Sequence, residues 1–404
     1  MSTAKSLLIP AAGLLLAVLI WIGWAESRQP QPTPLTPTLT GQTEYCLTCH
    51  ADLPQISPSH PVEVFGCVRC HGGERLALDA DLAHSTMRGG KNPSDPAVVK
   101  ASCGGEQCHS GPAITEQNQI QRLELNLHTT YAGAISAVRL SWGMQSDAQA
   151  HQSVVAAGGL ELFDPTQESA PQAQTFAKNC LNCHLAAAPL PGQVYARGTG
   201  CAACHIEAVN ARSKPSLHRL TTGIAYQQCN TCHFRGEFHL DTLQFIPRSD
   251  QGGSRRVDYY PPGTPAANCE YRLDCVDCHT RHEAMGDGHL ESNQAEARYA
   301  QCKTCHGTRD SPPLTTTHTS PDELALRLAA LNPAVHLQVG DTILVTERGE
   351  PLWNIRQLPD GSFEETGKAS GQHFRLPLVT GSGCQQRPDQ QEAKDCHVCH
   401  ANEK

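Results

Sequence analysis

The stretch CLTCHADLPQISPSHPVEVFGCVRCH at residues 46–71 contains the pattern Cys-x-x-Cys-His twice. The whole chain has 404 residues, with 20 Cys and 21 His. Because each of these residue types is about one residue in twenty, chance would give the pattern roughly 0.05 times in this length. It occurs eight times, beginning at Cys46, Cys67, Cys180, Cys201, Cys229, Cys275, Cys302 and Cys396.

Repeated Cys-x-x-Cys-His is typical of covalent haem attachment. Two thiols at this spacing can add to the two vinyl groups of one porphyrin, and the adjacent histidine can ligate the iron. Structural zinc needs four ligands and gives no reason for a histidine after every pair, and redox disulfides would need only the cysteines. The predicted attachment cysteines are Cys46, Cys49, Cys67, Cys70, Cys180, Cys183, Cys201, Cys204, Cys229, Cys232, Cys275, Cys278, Cys302, Cys305, Cys396 and Cys399. The predicted proximal ligands are His50, His71, His184, His205, His233, His279, His306 and His400.

A ninth motif is a variant with four residues between its cysteines. Cys103-Gly-Gly-Glu-Gln-Cys108-His109 keeps the terminal Cys-His pair. Because two glycines make an outward bulge conformationally easy, we interpret it as a ninth site, with Cys103 and Cys108 as attachment thiols and His109 as proximal ligand. A disulfide beside a chance histidine is the alternative. Nine haem c groups use 18 of the 20 cysteines and leave Cys269 and Cys384, which could pair, ligate or remain thiols.

The composition leaves little material for an ordinary core. Phe and Tyr number 8 each and Trp 4, against 33 Gly and 28 Pro. We therefore expect the haems to fill the interior, so that folding depends on the cofactor. The predicted fold is mainly α with extensive loop, organised around a haem stack, with a small β insertion near residues 338–380. The β expectation comes from TILVTERGEPLWNIRQLPDGSFEETG, in which short β-prone runs are separated by turn signals.

The N-terminal region indicates export. SLLIPAAGLLLAVLIWIGW at residues 6–24 is apolar and uncharged, and it fits either an uncleaved inner-membrane anchor or a cleaved signal peptide. RQPQPTPLTPTLTGQ at residues 28–42 predicts an extended spacer. Both interpretations place the body on the periplasmic side of the inner membrane. The formal charge of −9, without a basic run, argues against nucleic acid as a partner.

The motif positions suggest seven segments. They are a signal peptide or anchor at 1–27, a Pro/Thr-rich linker at 28–42, a three-haem module at 43–112, a helical connector at 113–172, a five-haem module at 173–310, a β-containing insertion at 311–383 and a C-terminal haem segment at 384–404. Within the connector, apolar residues at spacings of three and four predict an amphipathic packing helix: Ile120, Leu123, Leu127, Tyr131, Ala134 and Val138.

Twelve further histidines could serve as second axial ligands. A second imidazole keeps the iron six-coordinate and suits electron transfer, whereas an open position suits small-molecule chemistry. The candidate distal ligands are His60, His84, His128, His218, His239, His282, His289, His318 and His373. His151, His336 and His397 complete the set, and His397 lies inside the last motif.

The pattern resembles the multihaem c-type cytochromes, and the resemblance covers nearly the whole body. HPVEVFGCVRCHGG at 60–73, AHSTMRGGKNPSDPAVV at 83–99, QCNTCHFRG at 228–236 and CVDCHTRHEAMGDG at 275–288 resemble stretches of periplasmic respiratory cytochromes. A broader similarity is to pentahaem nitrite reductase, hydroxylamine oxidoreductase and octahaem tetrathionate reductase. This chain lacks the Cys-x-x-Cys-Lys that the first commonly uses at its catalytic haem.

Two main hypotheses follow. In the first, mostly bis-histidine haems pass electrons along a periplasmic respiratory chain between redox partner proteins. In the second, the protein is an oxidoreductase that acts on a small nitrogen or sulfur compound at one open haem. A structural haem array is a third and weaker reading. We name no catalytic residue, and an electron carrier is favoured over an enzyme.

Overall fold

The computed structural model describes residues 16–21, 31–111, 116–187, 195–196, 198–206, 209–210, 218–233, 237–238, 245–246, 266–267, 269 and 272–402. The chain divides into two compact units. The first comprises residues 1–55 and 60–88, and the second comprises residues 56–59 and 89–404. The candidate distal ligand His239 lies outside the described residues.

The first unit consists of short helical segments. They are α1 (residues 16–21), a 3₁₀ turn at Cys46–Thr48, α2 (Val62–Phe65), α3 (Val68–His71) and α4 (Ala80–His84). A buried carboxylate organises the start of α3, because Glu44 Oε2 accepts the backbone N–H groups of Cys67 and Val68 at 2.7 and 3.3 Å. Gly66 has a φ of 66°, and a Cβ there would lie 2.4 Å from Pro37 and 2.5 Å from the Glu44 carboxylate. Only glycine fits that turn.

The expected spacer packs against this unit over part of its length. Backbone N–H groups of Thr38 and Leu39 donate to the carbonyls of Glu63 and Val64, each at 3.0 Å, and Leu35 bridges to Glu44. Residues 35–39 are therefore part of the folded unit. Among the described residues, no helix has both the length and the apolar character that a bilayer span requires.

The connector in the second unit forms three helices where the sequence predicted one. They are α6 (Gln119–Leu125), α7 (Leu127–Thr130) and α8 (Ala132–Ser141), after α5 (Val99–Ser102). Asn126 ends α6 and caps α7 by accepting the His128 N–H at 2.9 Å. Tyr131, with φ of 57°, separates α7 from α8. The apolar residues do recur at spacings of three and four, but two bends divide the stretch into three helices.

The connector packs on α9 (Gln172–Cys180) and on Phe163. Ile135 and Val138 of α8 and Phe176 of α9 are at most 1% exposed and form one cluster with Cys180. Numbered in chain order with the variant at Cys103 as the third, the motif that begins at Cys180 is the fourth. Its first cysteine therefore lies within an apolar core. The remaining helices are α10 (Ala202–His205), α11 (Tyr226–His233), α12 (Cys275–Cys278), α13 (Arg281–Met285), α14 (Gln294–Ala297), α15 (Cys302–His306), α16 (Leu324–Ala330) and α17 (Ala393–His400).

A five-stranded antiparallel sheet follows the eighth motif. Its strands are β8 (Thr315–Thr317), β9 (Thr342–Val345), β10 (Pro351–Gln357), β11 (Phe363–Thr366) and β12 (His373–Leu376), and they are hydrogen-bonded in the order β12-β11-β10-β9-β8. The predicted Pro-Asp-Gly turn connects β10 to β11, with Gly361 at a φ of 82°. The sheet has its own core, in which Leu344 and Ile355 are fully buried beside Leu352 and Phe363.

Short strand pairs complete the architecture. β1 (Gln152–Ser153) and β2 (Glu161–Leu162) are parallel. The antiparallel pairs are β3 (Tyr195–Ala196) with β4 (Val209–Asn210), β5 (Glu237–Phe238) with β6 (Phe245–Ile246), and β7 (Ala266–Ala267) with β13 (Ala401–Asn402). The last pair joins the C-terminus to residues far earlier in the chain.

The expectation of a mainly α fold is wrong. Helices make up only 32% of the structure, and the expected small β insertion is a five-stranded sheet whose first strand, β8, lies before residue 338. The error came from assigning the whole interior to the cofactor. Residues 342–366 supply the buried apolar side chains Leu344, Leu352, Ile355 and Phe363, which pack together within the sheet.

The sheet core yields a stability prediction. Replacing Ile355 with alanine removes a fully buried side chain and should destabilise the protein by about 2 to 5 kcal/mol. Thermal denaturation of the haem-loaded full chain, followed by far-ultraviolet circular dichroism, should show a lower midpoint. Thr316→Ala on the exposed strand β8 is the control and should change little. Equal midpoints for the two variants would contradict an independent sheet core.

Candidate functional site

Four of the standard Cys-x-x-Cys-His motifs form a tight turn closed by their own backbone. The histidine N–H donates to the carbonyl of the first cysteine, at 3.1 Å for His50, 2.9 Å for His71 and His205, and 2.8 Å for His279. Most of the motifs lie in the short helices α3, α10, α11, α12, α15 and α17. One helical turn places residues i, i+3 and i+4 on one side, so both thiols and the imidazole face the same volume.

The four-residue variant reproduces this closure. His109 N–H donates to the Cys103 carbonyl at 3.2 Å, across two more residues than in the standard motif. The additional residues bulge outward, held by a bond from Gly105 N–H to Ser110 Oγ at 3.0 Å. A Cβ on Gly104 would lie 2.2 Å from the Lys100 carbonyl oxygen. The glycines therefore permit a longer loop with the same turn at its ends.

Several proximal histidines are oriented through Nδ1. Protein acceptors lie within hydrogen-bond distance of Nδ1, which leaves Nε2 as the atom that can face a metal. The acceptors are Gln119 for His109 at 3.3 Å, the Thr221 carbonyl for His205 at 2.9 Å, Glu283 for His279 at 2.9 Å and the Pro377 carbonyl for His306 at 2.7 Å. The Glu283 bond raises the pKa of His279, whereas burial lowers the pKa of His205 and of His306.

Two candidate distal histidines face proximal ones. The ring centres of His50 and His84 are 6.1 Å apart, and those of His128 and His233 are 6.2 Å apart. A ligating imidazole nitrogen lies about 2 Å from its metal, so two rings on opposite sides of one ion have centres roughly 6 Å apart. Both pairs fit that separation. Asn126 orients His128, since its Oδ1 lies 2.9 Å from Nδ1.

His318 is buried, and its two ring nitrogens have the surroundings expected of a metal ligand. It is 2% exposed, and its Nδ1 lies 2.7 Å from Glu323 Oε2. Its Nε2 is buried and has no hydrogen-bond partner among the described residues. That Nε2 would be costly to bury without a partner, and a metal ion would satisfy it. The bond with His318, together with backbone N–H groups of Thr319 and Ser320, lowers the pKa of Glu323 to about 2.

The other distal candidates have different surroundings. His60 packs on Phe65 with ring centres 5.3 Å apart. The nitrogens of His282 lie 3.4 Å from Glu116 and 3.3 Å from Glu350, so both face carboxylates. His289 and His373 are exposed, and each has a carboxylate near Nδ1. His218 is half-buried at the start of the segment 218–233.

Cysteines that begin different motifs meet in pairs. The thiols of Cys46 and Cys67 hydrogen-bond in the first unit, which raises the pKa of Cys67. In the second unit a bond with Cys275 raises the pKa of Cys229, and burial raises that of Cys396, which hydrogen-bonds to Cys302. These contacts join the first motif to the second, the sixth to the seventh and the eighth to the ninth.

Further contacts connect other consecutive motifs within the second unit. Gly200 N–H donates to the Leu185 carbonyl at 2.8 Å, joining the fourth and fifth motifs. Gln228 donates to the Cys204 carbonyl at 3.1 Å, joining the fifth and sixth. Burial raises the pKa of Cys278 in the seventh motif, and the Cys305 thiol of the eighth motif adds to that rise. Contacts thus join the fourth to the seventh motifs in order and the eighth motif to the ninth.

One group of described residues could also suit a metal ion alone. The ligand atoms of Glu44, Cys46 and Cys67 lie within 4.8 Å of one another. They supply three ligands, one fewer than structural zinc takes. Glu44 is already engaged with two backbone N–H groups, so its carboxylate has a structural role at this position.

The two cysteines outside the motifs influence motif cysteines. Burial raises the pKa of Cys278 and Cys305, to which Cys269 adds, and that of Cys396, to which Cys384 adds. Whether they pair with each other stays a prediction.

Sequence reasoning missed the groups that orient the ligands. Glu283 and Glu323 follow His279 and His318 by four and five residues, a local signal that was available. Thr221 and Pro377 act through backbone carbonyls, which no side-chain pattern reveals. Tyr131 was assigned to packing, but its ring centre lies 6.4 Å from that of His184.

Comparison with known proteins gives one match. Residues 249–307 match the family Cytochrome c554 and c-prime, and they include the motifs at Cys275 and Cys302. No curated protein and no solved structure matches the chain. The matched segment supports a c-type cytochrome that carries haem c and takes part in electron transport.

The variant motif can be tested at its glycine. Gly104→Ala should force the loop away from the Lys100 carbonyl and lower haem attachment at Cys103 and Cys108. The pyridine haemochrome assay, normalised to protein, should fall by about one haem per chain. Gly383→Ala is the matched control, because a Cβ there meets nothing within 4 Å. Unchanged haem content in Gly104→Ala would show that the close approach is unimportant.

Proposed function

We propose that this protein is a nonahaem cytochrome that carries electrons along a series of covalently attached haems. One observation carries the proposal: the motifs at Cys180, Cys201, Cys229 and Cys275 contact one another in consecutive order, and those at Cys302 and Cys396 contact each other. Haem c supplies a one-electron iron couple when bound. Electron transfer between haems requires close spacing, and neighbouring attachment turns provide it without large interdomain motion.

The polypeptide supports this role by holding ligands rather than by converting a substrate. Carboxylates and carbonyls fix the imidazole rings, and hydrogen bonds of this kind tune the electron donation of a ligand. His84 and His128 pair with His50 and His233, and His318 is prepared as a further ligand. His60, His218, His282, His289 and His373 stay candidates, as does His239.

The cellular setting is part of the proposal. The apolar N-terminal stretch and the use of 18 cysteines for haem c favour the periplasmic side of the inner membrane, with the protein anchored or released. The net charge of −9 becomes more negative with two propionates on every haem. We propose redox partner proteins that present a basic face, since complementary charge accelerates docking.

Protein-film voltammetry of the full haem-loaded chain tests whether the haems form a connected series for electron transfer. A connected series predicts a broad reversible wave whose integrated charge equals one electron per haem in the sample. An integrated charge well below one electron per haem at fast scan rates would show isolated haems and reject the connected series. A catalytic current on adding nitrite, hydroxylamine or tetrathionate would favour the alternative, an oxidoreductase for a small nitrogen or sulfur compound.

The carboxylate behind His318 gives a second test. In Glu323→Gln the imidazole loses its ionised acceptor and donates less to a bound iron, so the ferric state is less stabilised. One haem should therefore titrate at a higher reduction potential in a spectroelectrochemical titration. Asp322→Asn is the matched control, because the neighbouring Asp322 side chain is exposed. Superimposable titrations of the two variants would remove His318 from the ligand set.

A further inference from the structure

A loop between the second and third motifs binds the residues that precede the fifth motif. The side chain of Asn92 donates to the carbonyl oxygen and to the hydroxyl of Thr199, at 3.0 and 2.9 Å. The Thr199 hydroxyl donates to Asp95 Oδ2 at 2.5 Å. Gly200 has a φ of 57°, and a Cβ there would overlap the Ser94 carbonyl oxygen. The loop and the start of the fifth motif therefore form one close interface.

Ser94 lies at the centre of this interface. Its half-buried hydroxyl lies 2.8 Å from Asn92 Oδ1 and 3.2 Å from the Thr199 carbonyl oxygen. The same hydroxyl accepts the Ala202 N–H at 2.9 Å. Ala202 is the first residue of α10, and the first N–H groups of a helix have no acceptor within it. Ser94 thus supplies that acceptor to the fifth motif from an earlier part of the chain.

The loop continues directly into the third motif. The Asp95 carbonyl accepts the Val99 N–H at 2.9 Å, and the Val99 carbonyl accepts the Cys103 N–H at 2.8 Å. Asp95 is also the residue whose carboxylate binds Thr199. The third and fifth motifs are therefore connected by an unbroken series of hydrogen bonds.

An apolar cavity adjoins both motifs. Its walls include Val99 and Ile120 beside the third motif and Cys201 of the fifth. Ile120 N–H donates to the His109 carbonyl at 3.1 Å, so the cavity wall is fixed to the proximal histidine of the third motif. Burial lowers the pKa of His205 in the fifth motif, and His109 adds to that lowering. The two attachment sites thus share one apolar region.

We propose that Ser94 holds the third and fifth attachment turns together as a crossing point for electrons, and that the fourth attachment turn is a side branch. The fourth motif contacts the fifth through the bond from Gly200 N–H to the Leu185 carbonyl, so it joins the same junction. The step moves one electron from ferrous to ferric iron and breaks no bond. Ser94 is a positioning residue for this step. The inference rests on the proposed function, because it requires haem at all three motifs.

Oriented protein-film voltammetry tests this route. The full haem-loaded chain is attached to a gold electrode through Gln42→Cys, an exposed position in the first unit. Cys269→Ser and Cys384→Ser remove the two cysteines outside the motifs, so that attachment is specific. Electrons then enter through the first three motifs, and the charge exchanged at fast scan rates counts the haems that they reach.

Two variants of the oriented chain each lack one haem. Cys180→Ser with Cys183→Ser removes the fourth, and the fast-scan charge should remain one electron for each remaining haem. Cys201→Ser with Cys204→Ser removes the fifth, and the charge should fall to about three electrons, those of the first three motifs. Intact mass should show the loss of one haem in each variant. A reduced charge without the fourth haem, or an undiminished charge per haem without the fifth, would overturn the proposal.

A serine exchange tests the positioning role. Ser94→Ala removes the hydroxyl that accepts the Ala202 N–H, so it should loosen the junction while every haem stays attached. The fast-scan charge should therefore fall to about three electrons at a lower scan rate than in the unaltered chain. Ser85→Ala is the matched control, because its exposed hydroxyl donates within its own turn, to the Leu82 carbonyl at 2.8 Å. Identical dependence on scan rate in the two variants would exclude a positioning role for Ser94.

The oriented chain with its full set of haems separates this result from failure of the proposed function. One electron per haem, together with a route that requires the fourth haem, would reject the crossing point and leave the connected series intact. A charge well below one electron per haem, even at slow scan rates, would reject the connected series itself.

Discussion

The hydrogen bond from the motif histidine N–H to the first cysteine carbonyl is the constraint on which the site geometry depends. It closes a turn of five residues in the motifs that end at His50, His71, His205 and His279, and it directs two thiols and one imidazole to one side. The variant at Cys103 keeps the same bond across a longer loop. Each turn needs very few residues, so nine of them can be arranged within one chain of 404 residues.

Short turns explain why the motifs can approach one another so closely. Leading cysteines meet in pairs, and carbonyls next to the motifs accept bonds from the following motif. The rest of the chain supplies ligand orientation and packing. The connector packs on the fourth motif through Phe176 and Cys180, while the five-stranded sheet contributes the Pro377 carbonyl behind His306. The protein therefore has apolar cores of packed side chains as well as regions whose arrangement depends on the Cys-x-x-Cys-His turns.

The candidate attachment residues could be predicted from the sequence because haem attachment requires fixed spacing. The pairing of the candidate ligand histidines could not be predicted in this way, since His84 lies 34 positions from His50 and His128 lies 105 positions from His233. The extent of the sheet was underestimated because Thr315–Thr317 is a strand of only three exposed residues, without an apolar face, that pairs with Thr342–Val345. The sequence did not predict the bend at Tyr131, because a tyrosine on an apolar stripe predicts that the helix continues.

The central claim is that nine turns each attach one haem, and intact mass measures this directly. Mass spectrometry of the denatured full chain reports the polypeptide plus its covalently bound haems, and non-covalent cofactors are lost. The account predicts nine haems, falling to eight when Cys103 and Cys108 are both replaced by serine. Eight haems in the unaltered chain, with no change in that double variant, would contradict it and make the Cys103–His109 turn a structural loop.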